Sequence, residues 1–306
     1  MIRSEPHMGF VGVTTARSSI RKVYPGWANI LDLPTTRLVG YDLPIGTSSQ
    51  EYRDLVKRLA DDPGHLGSLV TTHKIGVYEA AADLFGHLDE HAVRFGEISC
   101  ISKRDVGLVG HAVDPISARL AMDEFIPPDH FAKTGGAVYC LGMGGAGSAI
   151  SYLLGERADA PSEIVCTAAR QASLDHAATI HASVASTGRF RYELVDRHRP
   201  VDSLLASAPE GSLVVNATGM GKDRPGSPLS DDFVFPHGGI VWEINYRGSL
   251  EFLDQARNQA ETRDLRVEDG WRYFIHGWSQ VIAQVFDIPM PPETVDRLAA
   301  FAETVR

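Results

Sequence analysis

Lys74 and Asp114 are the pair in this chain whose types and setting best suit proton chemistry. Lys74 closes the string Ser68-Leu69-Val70-Thr71-Thr72-His73-Lys74, and Asp114 closes Gly110-His111-Ala112-Val113-Asp114. Between them lies Gly96-Glu97-Ile98-Ser99-Cys100-Ile101, and downstream comes the turn Gly142-Met143-Gly144-Gly145-Ala146-Gly147. An amine and a carboxylate upstream of a dinucleotide loop suggest proton transfer coupled to hydride transfer. When hydride leaves a carbinol carbon, charge must be managed at the oxygen. A lysine bonded to that oxygen can take its proton in oxidation, or protonate it in reduction. A free lysine titrates near a pKa of about 10.4, so burial must lower it before it serves as a base near neutrality. A carboxylate neighbour pushes the other way.

The glycine turn follows an apolar strand and opens a helix, the context in which G-x-G-x-x-G carries meaning. Gly142 allows the tight turn, Gly144 lets backbone approach a pyrophosphate, and Gly147 lets helix and strand pack closely. The helix N-terminus offers free N–H groups to phosphate. An NAD site usually carries an acid at the end of the next strand, to bond the ribose 2′-OH. Here that strand ends Val165-Cys166-Thr167-Ala168-Ala169-Arg170, and Glu163 stands at its start, the wrong end. Arg170 suits a 2′-phosphate, which favours NADP with NAD as the alternative.

The elements that must position these groups alternate along the chain. Gly9 to Val13, Arg37 to Tyr41 and Gly67 to Val70 are predicted strands. Ser49 to Asp61 has helical spacing, with Tyr52, Leu55, Val56 and Leu59 on one side. A helix from about Lys74 to Phe85, a strand pair around Asp105 and Gly107, and a helix from about Pro115 to Phe125 follow. Beyond Ile126-Pro127-Pro128-Asp129, strands are expected at Ala137–Leu141, Glu163–Thr167, Phe190–Val195, Leu213–Asn216 and Ile240–Ile244. Helices are expected at Ala146–Glu156, Ser173–Ser186, Asp269–Phe286 and Glu293–Val305. Strands separated by helices imply an α/β protein with a doubly wound parallel sheet in its second half. The expected division is 1–126 as a substrate-binding catalytic domain, 127–262 as a Rossmann-like NAD(P)-binding domain, and 263–306 as helices returning to the first domain.

The bulk numbers agree with two such domains. The chain has 306 residues, 43% of them hydrophobic, and a formal charge of −10, which disfavours nucleic acid as a partner. Cys100, Cys140 and Cys166 are too scattered for a metal set and read as reduced, buried thiols. No apolar run approaches a membrane span and the first residues lack a signal-peptide core, so the expectation is a cytoplasmic monomer or homodimer.

The motifs in this order resemble the shikimate dehydrogenase family. Its G-x-N-V-T-x-P-x-K, V-N-T and G-x-N-T-D strings correspond to the segments ending at Lys74, Cys100 and Asp114. Asn216-Ala217-Thr218-Gly219-Met220-Gly221 resembles its N-A-T-x-x-G loop and Glu243-Ile244-Asn245-Tyr246 its D-x-x-Y. Asp269-Gly270-Trp271 begins its last substrate-facing helix. The resemblance runs from about residue 9 to residue 288. It implies an N-terminal substrate domain, a C-terminal nicotinamide domain and a reaction in the cleft between them: reversible oxidation of a ring hydroxyl to a ketone. It assigns Lys74 and Asp114 as the catalytic pair. It places Ser18, Val70, Ser99, Tyr246, Gly277 and Gln280 against substrate, and residues 142–147, Arg170 and Asn216 to Met220 against cofactor. It also points to the shikimate pathway of aromatic amino acid biosynthesis.

The departures gather in the substrate shell. Of two family serines near the first strand, Ser18 remains and Ile20 replaces the other. Val70 replaces a threonine, Ser99 and Ala112 replace asparagines, and Gly277 stands where a glutamine is expected. Each lost bond to a charged group is worth roughly 1.5–3 kcal/mol, so retained chemistry on an altered substrate is the simplest expectation. Arg17, Arg21 and Lys22 are candidate anion contacts or, equally, surface charges; Tyr24, Trp278 and Gln280 are candidate wall residues, with core packing the safer reading for Trp278. The substrate is then a shikimate-like alicyclic compound: shikimate itself, or a quinate-like, amino-substituted or other cyclitol acid. A non-catalytic ligand sensor of the same fold is the alternative, and a folate-linked dehydrogenase a third reading without specific support.

Overall fold

The computed structural model describes residues 5–184, 190–222 and 224–306, in two compact units. Unit 1 comprises the residues up to Ile116 together with Ile275–Arg306, and unit 2 comprises Ser117–Phe274.

Unit 1 contains β1 (His7–Gly12), α1 (Ile20–Ile30), β2 (Leu38–Asp42), α2 (Ser49–Asp61), β3 (His65–Val70) and α3 (Lys74–Ala81). It continues with β4 (His87–Leu88), α4 (Glu90–Phe95), β5 (Cys100–Arg104), β6 (Gly107–His111) and the start of α5 (Asp114–Asp123). The six strands form one mixed sheet in the order β2-β1-β3-β5-β6-β4. β1 lies parallel to β2 and β3, whereas β5 runs antiparallel to β3 and β6. The expected strand pair around Asp105 and Gly107 is this β5–β6 hairpin.

α2 starts at a capping box, Ser48 with Glu51, which satisfies helix N–H groups that otherwise lack partners. The expected face of Tyr52, Leu55, Val56 and Leu59 is buried, and packs with Val11, Val70, Val77 and Ile98. The helix expected from Lys74 to Phe85 is α3 followed by a tighter 3₁₀ turn at Ala82–Leu84. α1 was not legible as a helix because Pro25 interrupts its pattern. Pro25 is exposed, while Val23, Tyr24 and Trp27 are wholly buried.

Unit 2 holds α6 (His130–Thr134), β7 (Val138–Leu141), α7 (Gly145–Gly155), β8 (Ile164–Ala168), α8 (Gln171–His181), β9 (Phe190–Leu194) and α9 (Asp202–Leu205). It continues through β10 (Leu213–Asn216), β11 (Ile240–Glu243), α10 (Glu251–Gln259), β12 (Arg266–Glu268) and the first turn of α11 (Trp271–Phe286). The helix expected to reach Ser186 ends at His181 in the structure, and Ser186 lies outside the described residues. All six strands are parallel, in the order β12-β11-β10-β7-β8-β9. This is the doubly wound order 3-2-1-4-5-6, whose direction reverses between its first and fourth strands, β7 and β10. β7, β8, β10 and β11 are buried on both faces, as parallel strands covered by helices must be. The rest of α11 and α12 (Pro292–Glu303) belong to unit 1. There Trp27 donates its indole N–H to the Leu298 carbonyl at 2.8 Å.

The three cysteines are free and buried. No described helix is long and apolar enough to cross a membrane.

Candidate active site

Lys74 opens α3 and Asp114 opens α5. Their side chains meet: the Lys74 ammonium donates to Oδ2 of Asp114. Both are mostly withdrawn from water, with 18% and 11% of their side-chain surfaces exposed. Burial is the largest influence on Lys74 and by itself lowers its pKa. The charge of Asp114, that of Glu97 and the hydrogen bond to Asp114 together outweigh it, and the pKa is raised.

The turn before Lys74 is held by His73. Its Nε2 lies 3.0 Å from the Leu43 carbonyl, which can only accept, so Nε2 carries the proton. Nδ1 then accepts from the Tyr52 hydroxyl at 2.8 Å. Burial lowers the His73 pKa, in keeping with a neutral ring that braces the turn.

The segment from Glu97 to Ser99 ties the two helix starts together. The Ile98 N–H donates to the Lys74 carbonyl at 3.1 Å, and the Ser99 carbonyl accepts from the Val70 N–H at 2.8 Å. The Ser99 hydroxyl accepts from the N–H of Val113, beside Asp114, at 2.7 Å, and donates to the His111 carbonyl at 3.4 Å. Its hydrogen-bonding capacity is thus directed at the backbone that carries Asp114.

The other shell residues are placed as follows. Val70 and Ile20 are wholly buried; Val70 is part of the unit 1 core and contributes packing. Ser18 is half-buried, just past a 3₁₀ turn at Thr15–Arg17. Arg21 is spent on structure, since its guanidinium donates to the Leu38 carbonyl at 2.6 Å and to the Thr15 hydroxyl at 3.2 Å. Arg17 and Lys22 are exposed. Tyr24 is wholly buried with its hydroxyl on the Thr35 carbonyl, so it is core and not a wall residue. Trp278 is likewise core, edge-on to Phe10 with ring centroids 5.0 Å apart. Gly277 and Gln280 lie half-buried on α11, and a Cβ built on Gly277 would meet no atom of the described residues within 4 Å beyond its own turn of helix. Tyr246, in unit 2, stacks obliquely on Phe274 with centroids 4.4 Å apart.

In unit 2, residues 142–147 and 216–220 come together at the C-terminal ends of β7 and β10, where the strand order reverses. The Ala217 N–H donates to the Leu141 carbonyl at 2.7 Å. Gly142 has φ +102°, and a Cβ there would lie 2.6 Å from the Ala217 backbone. A Cβ on Gly147 would lie 1.9 Å from the Gly142 carbonyl oxygen, whereas one on Gly144 would meet nothing within 4 Å. Two glycines are therefore dictated by the protein's own backbone, while Gly144, at the N-cap of α7, leaves open room against its first turn. A pyrophosphate needs such room against helix N–H groups, so these residues fit a dinucleotide. Met143 turns its side chain into the unit, 3.8 Å from the Ser151 hydroxyl, and leaves only backbone for a ligand. Gly145 and Ala146 form the first turn of α7. Arg170 is exposed at the N-cap of α8, just past the end of β8.

Glu243 holds the second loop, and sequence reasoning assigned it no role. Its buried carboxyl accepts from Nδ2 of Asn216 at 2.6 Å and from the backbone N–H and Nδ2 of Asn245 at 2.8 and 2.6 Å. Both amides also reach the Met220 carbonyl. Asn216 Oδ1 in turn accepts from the Thr218 N–H and hydroxyl. Burial pushes the Glu243 pKa up to about 7, against the pull of those donors. Glu243→Ala would remove the acceptor of three hydrogen bonds, from both amides and the Asn245 N–H, and should destabilise the protein by on the order of 3 kcal/mol in chemical denaturation. An unchanged midpoint would mean that the loop does not depend on this network.

Together, the strand order, the glycine turn at its reversal and the Lys74–Asp114 pair define a two-unit α/β protein with a Rossmann-type nucleotide-binding fold. No family model matches the chain. It is 27% identical over 176 residues to the shikimate dehydrogenase (NADP(+)) of Streptococcus sanguinis, a match covering 57% of this chain and 58% of that protein. It is 28% identical over 216 residues to the enzyme of the same name from Streptococcus gordonii, covering 69% of each. Among solved structures, quinate dehydrogenase from Corynebacterium glutamicum in complex with NAD shares the fold, with a TM-score of 0.75 at 20% identity, over 98% of this chain and 99% of that one. The chain is thus similar in sequence to shikimate dehydrogenases and shares the fold of a quinate dehydrogenase.

Proposed function

We propose that the protein is an NADP-dependent oxidoreductase that interconverts a ring hydroxyl and a ketone on a shikimate-like alicyclic compound. The observation that carries this reading is the buried contact between Lys74 and Asp114. An isolated surface lysine has no reason to be drawn from water onto a carboxylate at the start of another helix, since exposed pairs contribute little. The names of the similar proteins, shikimate dehydrogenase (NADP(+)) and quinate dehydrogenase, support the same substrate class.

The nicotinamide, when bound, accepts or supplies the hydride. Lys74 manages the oxygen: as an ammonium it donates a proton to the ketone oxygen while the carbon takes up hydride. Asp114 holds that ammonium in place. Because the Lys74 pKa is raised, the proton-donating form prevails near neutrality. The site therefore favours ketone reduction at neutral pH, and oxidation only as the pH rises and Lys74 sheds its proton.

A cyclitol acid related to shikimate suits the site better than shikimate itself, since Val70 and Ile20 are buried apolar groups and Ser99 is committed to backbone. Open space beside Gly277 admits a bulkier or differently substituted ring. The test is a panel of cyclic hydroxy acids and their ketones, shikimate, quinate and amino-substituted relatives included, followed at the nicotinamide absorbance with both cofactors. Cofactor binding without turnover of any compound would favour the ligand-sensing reading instead.

Arg170 supplies the preference for NADP. No acidic residue ends β8, and the Arg170 guanidinium is exposed with no ion-pair partner among the described residues. A hydrogen-bonded contact to a charged group is worth roughly 1.5–3 kcal/mol. Arg170→Ala should therefore raise the KM for NADP about tenfold to a hundredfold and leave that for NAD unchanged. Equal effects on both cofactors would remove Arg170 from 2′-phosphate recognition.

A further inference from the structure

Glu97 is a carboxyl that the Lys74–Asp114 chemistry does not call for. It follows the left-handed Gly96 that ends α4, and its residue surface is 1% exposed. Its Oε1 is buried with no hydrogen-bond partner among the described residues. Buried carboxylates are ordinarily paired or richly hydrogen-bonded, so an orphan of this kind needs a reason. Its own backbone lies against the site: the next residue, Ile98, donates to the Lys74 carbonyl, and Ser99 holds the N–H before Asp114. The charged groups that act on it are Asp114 from α5 and Lys74 from α3.

We propose that Glu97 is a positioning residue that acts through Lys74: it takes up and releases a proton inside the Lys74–Asp114 site, and its charge sets how firmly the ammonium keeps its own. One ammonium can neutralise one carboxylate, and Asp114 already accepts its hydrogen bond. A second ionised carboxyl would leave the buried cluster with net negative charge. Glu97 therefore carries the proton at neutral pH. Burial first, and then the charge of Asp114, push its pKa up to about 8, with Lys74 opposing. Above that pH the ionised Glu97 tightens the hold on the Lys74 proton and so resists oxidation of the alcohol. The catalytic consequence rests on the dehydrogenase reading; the proton exchange does not.

The experiment compares the wild type with Glu97→Gln, which keeps shape and loses the titration. A carboxyl whose folded pKa is raised contributes stability that is complete below its unfolded value of about 4.3 and is lost as the pH climbs through the folded value. The variant's melting temperature should therefore gain on the wild type between about pH 5 and pH 9, with no further gain outside that window. In turnover, the pH limb for alcohol oxidation should move about one unit lower, because the neutral amide no longer strengthens the hold on the Lys74 proton. A purely structural role would lower activity without moving that limb. If the glutamine variant does not fold, Glu97→Ala carries the same expectation. Parallel melting curves with an unmoved limb overturn the role of Glu97 and leave the dehydrogenase standing. Absence of turnover with every alcohol sinks the dehydrogenase reading, and the melting curves still decide Glu97.

Discussion

Lys74→Ala should lower kcat by roughly 10²–10⁴-fold, the usual contribution of a positioned general acid or base. The reacting oxygen would lose its proton donor and the ammonium charge that stabilises it. Dinucleotide affinity, carried by residues 142–147 and 216–220 of unit 2, should remain that of the wild type in a binding titration. The loss should fall on kcat and kcat/KM alike, since the proton moves only as the reaction proceeds. Stability also changes in a stated direction. Removing the ammonium leaves Asp114 and Glu97 as two buried acids without a cation, and stranding such a charge costs about 3–5 kcal/mol. Wild-type turnover in the alanine variant would remove Lys74 from the mechanism, and with it the reading of the protein as a lysine-dependent dehydrogenase.

Gly142→Ala should weaken dinucleotide binding by about a hundredfold or more. At φ +102° an L-residue is strained by on the order of 1–3 kcal/mol, and its Cβ would stand 2.6 Å from the Ala217 backbone. Relief requires the two loops to part, and each tenfold loss in affinity corresponds to about 1.4 kcal/mol. Gly144→Ala makes the informative contrast. Beyond its chain neighbours, the added methyl would meet no atom of the described residues within 4 Å, so the melting temperature should hold while dinucleotide affinity falls. Calorimetric titration with NADP beside a thermal melt separates the two. If Gly144→Ala binds as well as wild type, the pyrophosphate does not approach the backbone there.

Much of the architecture was legible in the chain because its elements announce themselves locally. α2 has a cap and an apolar stripe, both readable by spacing, and it runs over the expected residues. β10 is a short apolar run ending in Asn216, and it too lies where the alternation of strand and helix predicts it. Most elements that were missed lack such signals. α1 carries a proline, α4 and α9 are only six and four residues long, and β12 is three residues at a sheet edge. For the shortest of them, propensity is a weak guide, and tertiary contacts decide. α10 is the exception: its nine residues bury Phe252, Leu253 and Ala256 on one face, a stripe that the reading of the sequence passed over.

The site divides in the same way. Lys74, Asp114 and the glycine turn stood out because each belongs to a string whose order along the chain is itself a signal. Tyr24, Arg21 and Trp278 were open to a reading as substrate contacts because type alone does not say which way a side chain points. The structure turns all three inward or onto backbone. Glu97 and Glu243 passed without a role, since a single glutamate is ordinarily a solvated charge. The spacing of Glu243 to Asn245, and of both to Asn216, says nothing of the bonds among them.

Sequence by itself determined the alternation of the longer strands and helices, the glycine turn that opens α7, and the identity of an amine and a carboxyl suited to proton transfer. These follow from short-range periodicity and from residue chemistry, which distance along the chain does not disturb. Tertiary structure alone decided that Lys74 meets Asp114 across forty residues, that Glu97 is buried within reach of their charges with its Oε1 unpartnered among the described residues, and that Glu243 braces the loop beside the glycine turn. The physical reason is desolvation. The same side chain is a spectator in water and a determinant of proton affinity once buried beside another charge, and only the fold determines which residues lose their water together.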